Sequence, residues 1–328
     1  MDWQAQGRFA DLSKYLPEGE EQQFFPFIPE YLRSVNGELG ALWHNTDTPL
    51  FFYRTDQVEN PPQTWEELLA WAAEWRENNR GHAFTMPYQN YMQLFTGNFE
   101  RLGGQWVDAD GAPTAFENRE ILVSIMQPFV DLVQNDLVPA QAVLNDHNTQ
   151  MPLVYAADVA SFFGNNNMHI RALQPNLPPE EYDLWAATTL PYPEALSGQQ
   201  RAYTAGGWVI AAVRRDDDPD REAAAAQWVI HSTNPTSQAV TNKAGGWLPT
   251  RPGVIENDPF YQEDTFIQTT LQALNEHGYV PPAAPAYNII FAALTEALQS
   301  AASGESSLDD ALNNAETRIN AEYADLVG

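Results

Sequence analysis

Apolar and polar positions follow two rhythms along this chain. The first has the period of a helix. After Thr64-Trp65-Glu66-Glu67, the apolar residues Trp65, Leu68, Leu69, Ala72 and Trp75 fall on one face, and Gly81 follows the end. Thr64 is the N-cap of a capping box and Glu67 reaches back to it. Asp218-Pro219 places an N-cap before a proline at the first helical position and opens a helix through Ala226, Val229 and Ile230. Asn234-Pro235 does the same for a short helix ending near Lys243 and Gly245. Ser307-Leu308-Asp309-Asp310 starts a last helix with Leu308, Ala311, Leu312, Ala315 and Ile319 on its inner face. Another runs through Ile121, Leu122, Ile125 and Phe129, and Pro128 within it is expected to kink it.

The second rhythm is short apolar, β-branched or aromatic runs. Leu50–Tyr53, Trp185–Leu190 and Trp208–Val213 read as buried strands. Asp110-Gly111 after Gln105-Trp106-Val107 reads as a hairpin turn. Strands interleaved with helices imply an α/β chain with largely covered sheets. AGGW occurs twice, at Ala205–Trp208 and Ala244–Trp247. One copy enters a strand and the other leaves a helix, so they are not a structural repeat.

Composition narrows the function. A chain of 328 residues with 44% hydrophobic residues can bury a core, and its length suggests two domains. The formal charge of −28 argues against nucleic acid and anionic membrane surfaces as partners. Lys14 and Lys243 are the two lysines, so the acidity fits salt adaptation as well as an ordinary surplus for solubility. The absence of cysteine excludes disulfides, thiolate metal sites and a cysteine nucleophile. The opening MDWQAQGRFADLSKYL has neither the basic nor the apolar region of a signal peptide. No apolar run is long enough to span a membrane as a helix.

No catalytic or metal motif stands out. Asp108-Ala109-Asp110-Gly111 begins like a calcium loop, but its glycine is misplaced and no glutamate stands at the twelfth position. Asp216-Asp217-Asp218 reads as a solvated loop that caps a helix. The six histidines are scattered, and there is no GxSxG elbow, P-loop or GxGxxG. Aromatic residues carry more. The chain has 10 Trp, 13 Tyr and 16 Phe, many beside polar residues or glycine. Trp43-His44-Asn45-Thr46-Asp47, Tyr88-Gln89-Asn90-Tyr91 and Phe162-Phe163-Gly164-Asn165 are examples. Rings beside amides and carboxylates suit a sugar, whose C–H faces stack while its hydroxyls bond the polar groups. Each ring taken alone is equally well explained as core. A glycoside hydrolase or lyase would use the same aromatic cleft, with two carboxylates across the scissile bond. An interaction protein with an acidic surface would need no pocket.

Several segments, in order, resemble the extracellular solute-binding proteins of carbohydrate ABC importers, the maltose/maltodextrin-binding group. They are GELGALWHNTDTPLFFYRTD, PPQTWEELLAWAAEW, GGQWVDADGAPTAFENRE, GGWLPTRPGV and AASGESSLDDALNNAETRIN. Arg54-Thr55 departs from the usual Asn-Lys. TQMPLVYAADVASFFGNN lacks the family's Met and Trp, so that Phe162 or Phe163 would replace a stacking tryptophan. The match spans nearly the whole chain. It begins where the family's first βαβαβ stretch would end, so the first lobe is expected to be incomplete at its N-terminus and an export signal to lie upstream.

The resemblance implies a two-lobed α/β fold of the periplasmic-binding-protein type II class, with a hinge and a central cleft. Lobe 1 would comprise 1–46 and 206–280, and lobe 2 47–205 and 281–328. The crossovers would be Thr46–Pro49, Tyr203–Trp208 and a segment near Pro281–Tyr287. It further implies a non-enzymatic protein that captures a carbohydrate between its lobes and delivers it to permease subunits. Such a protein would be a monomer outside the cytoplasm, in the periplasm or lipid-anchored at the outer membrane face, with no cofactor, metal or nucleic acid. Asp47 would take sugar hydroxyls and Tyr91 would stack. Trp208, Trp247 and Arg251 would give ring and guanidinium contacts. Gly206 and Gly207 would let sugar approach the backbone at a hinge, and Gly246 would lie on the first lobe's wall. Trp43, His44, Asn45, Gln89, Phe163 and Tyr287 complete the candidates.

Overall fold

The computed structural model describes residues 2–26, 28, 32–33, 37–79, 81–281 and 284–327. Its strands are β1 (Leu42–Asp47), β2 (Pro49–Arg54), β3 (His82–Thr85), β4 (Val159–Asn165), β5 (Trp185–Thr189), β6 (Tyr203–Thr204), β7 (Gly206–Ile210) and β8 (Gly278–Tyr279). Its longer helices include α1 (Trp65–Asn78), α2 (Tyr91–Arg101), α3 (Arg119–Gln134), α4 (Pro219–Ser232), α5 (Pro235–Gly245), α6 (Pro285–Ser303) and α7 (Leu308–Val327). The expected capping box opens α1, with Thr64 accepting the Glu67 N–H and Glu67 reaching back. Asp218 and Asn234 cap α4 and α5 through Arg221 and Ser237. The chain divides into two units, residues 1–47 with 205–268 and residues 48–204 with 269–328.

Unit 2 is built on a four-stranded sheet in the order β3-β4-β2-β5. β2 runs antiparallel to both neighbours, and β3 parallel to β4. One face carries Phe51, whose ring meets Trp71 and Phe163 edge-on at 6.1 and 5.4 Å. Beyond it, Trp65 of α1 meets Phe95 and Phe129. Phe52 and Phe162 stack at 4.7 Å on the opposite face. Leu50, Phe51, Phe52 and Phe162 are fully buried, which explains the runs of β2 and β4, whereas β5, expected to be buried, is half-buried beyond Trp185 because it lies at the sheet edge. The Asp110-Gly111 turn forms without strands. Asp108 accepts the N–H groups of Asp110 and Ala112, and one bridge joins Val107 to Pro113.

The return to unit 2 falls at 268/269, not at 280/281 as expected. β8 pairs with β6, placing Gly278 beside Tyr203 and Tyr279 beside Thr204. The Tyr279 ring also covers Gly97 of α2, where a Cβ would lie 3.0 Å from it. These contacts draw residues 269–281 into unit 2.

Unit 1 has a two-stranded sheet in which β1 pairs antiparallel with β7. A register shift lies between Trp43 and Asn45. On its other side Thr46 exchanges backbone bonds of 2.8 and 3.2 Å with Leu248. The sequence reading made Trp208–Val213 a buried strand, and here the structure differs. Trp208 is 69% exposed and Val209 46%, because β1 is the one strand partner of β7 among the described residues.

Candidate functional site

In unit 2 the strand directions collect three chain segments at one end of the sheet. β2 starts where the antiparallel β4 ends, with Pro49 opposite Asn165. β3 is parallel to β4 and ends there too, with Thr85 opposite Phe162. The segments around Thr48, after Thr85 and after Asn165 therefore converge. A fourth, residues 144–150, is tied to them. The Asn145 and Leu144 carbonyls accept from the Gln89 backbone N–H and side-chain amide at 3.1 and 2.7 Å. The Gln150 amide donates to the Phe163 carbonyl at 2.6 Å. Asp146 shapes that segment by accepting the backbone N–H groups of Asn148 and Thr149.

This end is rich in buried polar atoms that no described protein group satisfies. They include the hydroxyls of Thr48 and Thr85, the Asn90 and Gln150 side-chain oxygens and the Asn145 side-chain nitrogen. Both amide atoms of Asn166 and both ring nitrogens of His147 belong with them. Burial pushes the His147 imidazole down to about 4, so its ring is neutral near pH 7. An unpaired buried polar group costs about 1–3 kcal/mol, so a cluster of them is expensive unless a further partner completes it. Most of these residues escaped sequence reasoning. The available signals were LNDHNTQ and the Asn165–Asn167 run that ends a strand.

Unit 1 carries a second polar set, on β1 and around it. The Asn45 side-chain oxygen accepts the Trp208 backbone N–H at 3.1 Å. The Thr46 hydroxyl donates to the Gly206 carbonyl at 3.1 Å. Asn242 donates to the His44 carbonyl at 2.9 Å, while its own side-chain oxygen and His44 Nδ1 have no described partner. Asp47 ends β1, and burial pushes its carboxyl up to about 6. A Cβ on Gly206 would lie 2.4 Å from Asp47 Oδ1, and one on Gly207 2.1 Å from the Asn45 carbonyl oxygen. The first glycine pair is thus required by the strand that it faces.

The second pair has a different cause. The Trp247 ring lies over Gly245, where a Cβ would come within 2.4 Å of it, and Gly246 ends α5 at φ 71°. Trp247 is half-buried and Trp43 is buried. Arg251 is 2% exposed; it donates to the Thr233 carbonyl and to Glu20 and lies over the Phe24 ring. Phe163 and Tyr287 sit in the core of unit 2, against Phe84 and Trp106 respectively. Gln89 is exposed beside the unit 2 cluster. The Tyr91 side chain lies outside the described residues. Within unit 1, Asn45, Asp47, Gly206, Gly207 and Trp208 come together across the strand pair.

A family model described as bacterial extracellular solute-binding protein matches residues 2–269. Among solved structures, maltose-bound MalE3 of T. maritima is 21% identical, with a TM-score of 0.80 over 96% of this chain and 80% of that one. The GacH receptor of Streptomyces glaucescens, described unliganded and with acarbose, is 20% identical, with a TM-score of 0.78 over 98% and 79%. The sugar-binding protein MalE of Xanthomonas citri is 18% identical, with a TM-score of 0.79 over 99% and 81%.

Proposed function

Since the chain belongs to the bacterial extracellular solute-binding proteins, we propose that its solute is a carbohydrate, captured for delivery to the permease subunits of an ABC importer. It is a binding protein and not an enzyme, with the two-lobed fold of periplasmic binding proteins. The observation that carries the carbohydrate reading is the likeness over nearly the whole chain to sugar-binding structures, beside the polar set that Asn45 and Asp47 form on β1. Hydroxyl-rich ligands supply many hydrogen-bonding groups at close spacing, which suits amide and carboxyl side chains beside a ring. Maltose and acarbose, named for the structural relatives, are of this class. In unit 1, Asn45, Asp47 and Trp247 are the proposed contacts, the carboxyl taking hydroxyls and the half-buried ring giving stacking area. Gln89 is a further contact of unit 2. The proposed setting is the extracytoplasmic side of the membrane, with the chain acting as a monomer. No helix among the described residues is long and apolar enough to cross a membrane.

A thermal-shift screen over maltose, longer maltodextrins and acarbose tests this. A ligand at a hundredfold over its dissociation constant stabilises by about 2.7 kcal/mol, well within detection. Stabilisation by none of them removes the carbohydrate reading. In calorimetry, Asp47→Ala and Trp247→Ala are each expected to weaken binding about 10-fold or more, since a hydrogen bond to a charged group is worth ~1.5–3 kcal/mol. Unchanged affinity in both variants takes these two residues out of the site.

A further inference from the structure

Beyond its pairing with β7, β1 is held by side chains. The Trp43 carbonyl accepts from the Thr250 hydroxyl at 2.7 Å and from the Gln238 side-chain amide at 3.3 Å. The His44 carbonyl accepts from the Asn242 amide at 2.9 Å. Gln238 is itself fixed on both sides. Its oxygen accepts the Thr250 backbone N–H at 2.9 Å, and its amide donates to the Thr250 hydroxyl at 2.7 Å. Gln238, Asn242 and Thr250 are fully buried. Gln238 and Asn242 stand four residues apart on α5, so they share one face of that helix.

In a regular strand successive carbonyls point to opposite edges. Here the adjacent Trp43 and His44 carbonyls both accept from α5, because His44 is an extra residue in the ladder. Trp43 stands opposite Val209 and Asn45 opposite Trp208, with no residue of β7 left for His44. Such a bulge re-aims the side chains that follow it, and a slip of one residue turns each of them to the other face. In the register observed, the Asn45 side chain accepts the Trp208 N–H and Asp47 lies opposite Gly206. Asn242 also holds the turn after α5, its carbonyl accepting the Trp247 N–H at 3.0 Å. We propose that Gln238 and Asn242 are positioning residues: by holding the bulge at His44 they set the faces from which Asn45 and Asp47 meet a sugar. The proposal rests on the carbohydrate reading above and adds what keeps its unit 1 contacts in place.

Gln238→Met and Asn242→Leu in the full chain keep side-chain size and remove the donors. Thr233→Val is the control, since it removes a buried hydroxyl bond to the Val229 carbonyl outside this network. Two readouts are compared: maltotriose affinity by calorimetry, and hydrogen exchange at the Trp208 amide relative to the Ala226 amide of α4. The Trp208 amide reports register because its acceptor is the Asn45 side chain. Both network variants are expected to weaken maltotriose binding and to speed relative exchange at Trp208, each by about 10-fold or more. The control is expected to lower the urea midpoint and leave both readouts at the parent's values. Folded network variants whose Trp208 amide stays as protected as the parent's overturn the proposal. So does a control that loses affinity and Trp208 protection to the same extent, since general loosening of unit 1 would then be enough. A parent chain that binds no sugar removes the carbohydrate reading, while the exchange comparison still decides whether these residues hold the register. Near-UV circular dichroism reports folding, and if Asn242→Leu does not fold, the milder Asn242→Ser carries the same comparison.

Discussion

At the scale of single residues, two buried ionisable groups respond to pH in opposite directions. Burial raises the Asp47 carboxyl from 3.8 to about 6. Between those values the native chain keeps a proton that the unfolded chain has lost, so stability falls as pH rises through the window and is flat above it. A rise of this size corresponds to about 3 kcal/mol. Asp47→Asn should remove that slope. His147 behaves conversely, because its imidazole is lowered from 6.5 to about 4. The unfolded chain takes up a proton as pH drops below 6.5 while the native chain does not, so stability falls as pH falls through that window. His147→Gln should flatten this arm. Urea midpoints measured from pH 4.5 to 7 for parent and variants test both. Difference curves without slope would show that neither group is desolvated in the native state. Both residues stood in legible polar stretches, yet only Asp47 was a candidate from sequence. What separates them from other polar residues is burial, which a linear pattern of asparagine and histidine does not record.

At the scale of elements, β7 concentrates the tension in this fold. Gly207 has φ 141°, and a Cβ there would meet the Asn45 carbonyl oxygen at 2.1 Å. Gly207→Ala is therefore expected to destabilise unit 1 by about 1–3 kcal/mol, from backbone strain with a clash added. A urea midpoint equal to the parent's would mean that the strand pair shifts freely to admit the methyl group. The same strand exposes Trp208 and Val209 on an edge with no second strand partner among the described residues. Such an edge invites pairing with another copy. Val209→Lys places a charge there and should suppress, in sedimentation velocity, the association expected only at concentrations well above those at which the chain acts as a monomer, with stability changed by roughly 0.5 kcal/mol or less. Identical association in parent and variant would clear β7 of that role. The expectation of a buried strand over 208–213 rests on apolar residues, three of which fall in β7. Its exposure depends on which elements lie beside it, and residues 206–210 do not encode that.

At the scale of the whole molecule, charge dominates. Forty-four acidic residues face sixteen basic ones, and the net −28 repels itself in the compact state. Salt should therefore stabilise the protein, since at 0.15 M charges farther apart than about 8 Å are largely screened. Ion pairs such as Arg54 with Asp56 and Glu181 oppose this. Exposed pairs contribute only about 0–1 kcal/mol each, so repulsion should win. Calorimetric melting from 10 mM to 1 M sodium chloride should show Tm rising by several degrees. A falling Tm would mean that the ion pairs outweigh the repulsion.

The sequence by itself determined much of this protein. Capping residues at Thr64, Asp218 and Asn234 placed helix starts correctly because a cap is satisfied within one turn of chain. Apolar runs located β2 and β5, and in β2 burial on both faces is written in Pro49 to Phe52, whereas β5 at the sheet edge is half-buried beyond Trp185. The ordered motifs pointed to the family. Tertiary structure alone decided that the segments around Thr48, after Thr85, at 144–150 and after Asn165 converge at one sheet end. It also decided that the chain returns to unit 2 at 268/269 and that Arg251 is buried, donating to Thr233 and Glu20 and lying over Phe24. The reason is range. Caps and periodicity are local interactions between near neighbours in sequence, whereas a converging set of polar segments or a buried guanidinium depends on which distant segments strand direction and packing bring together.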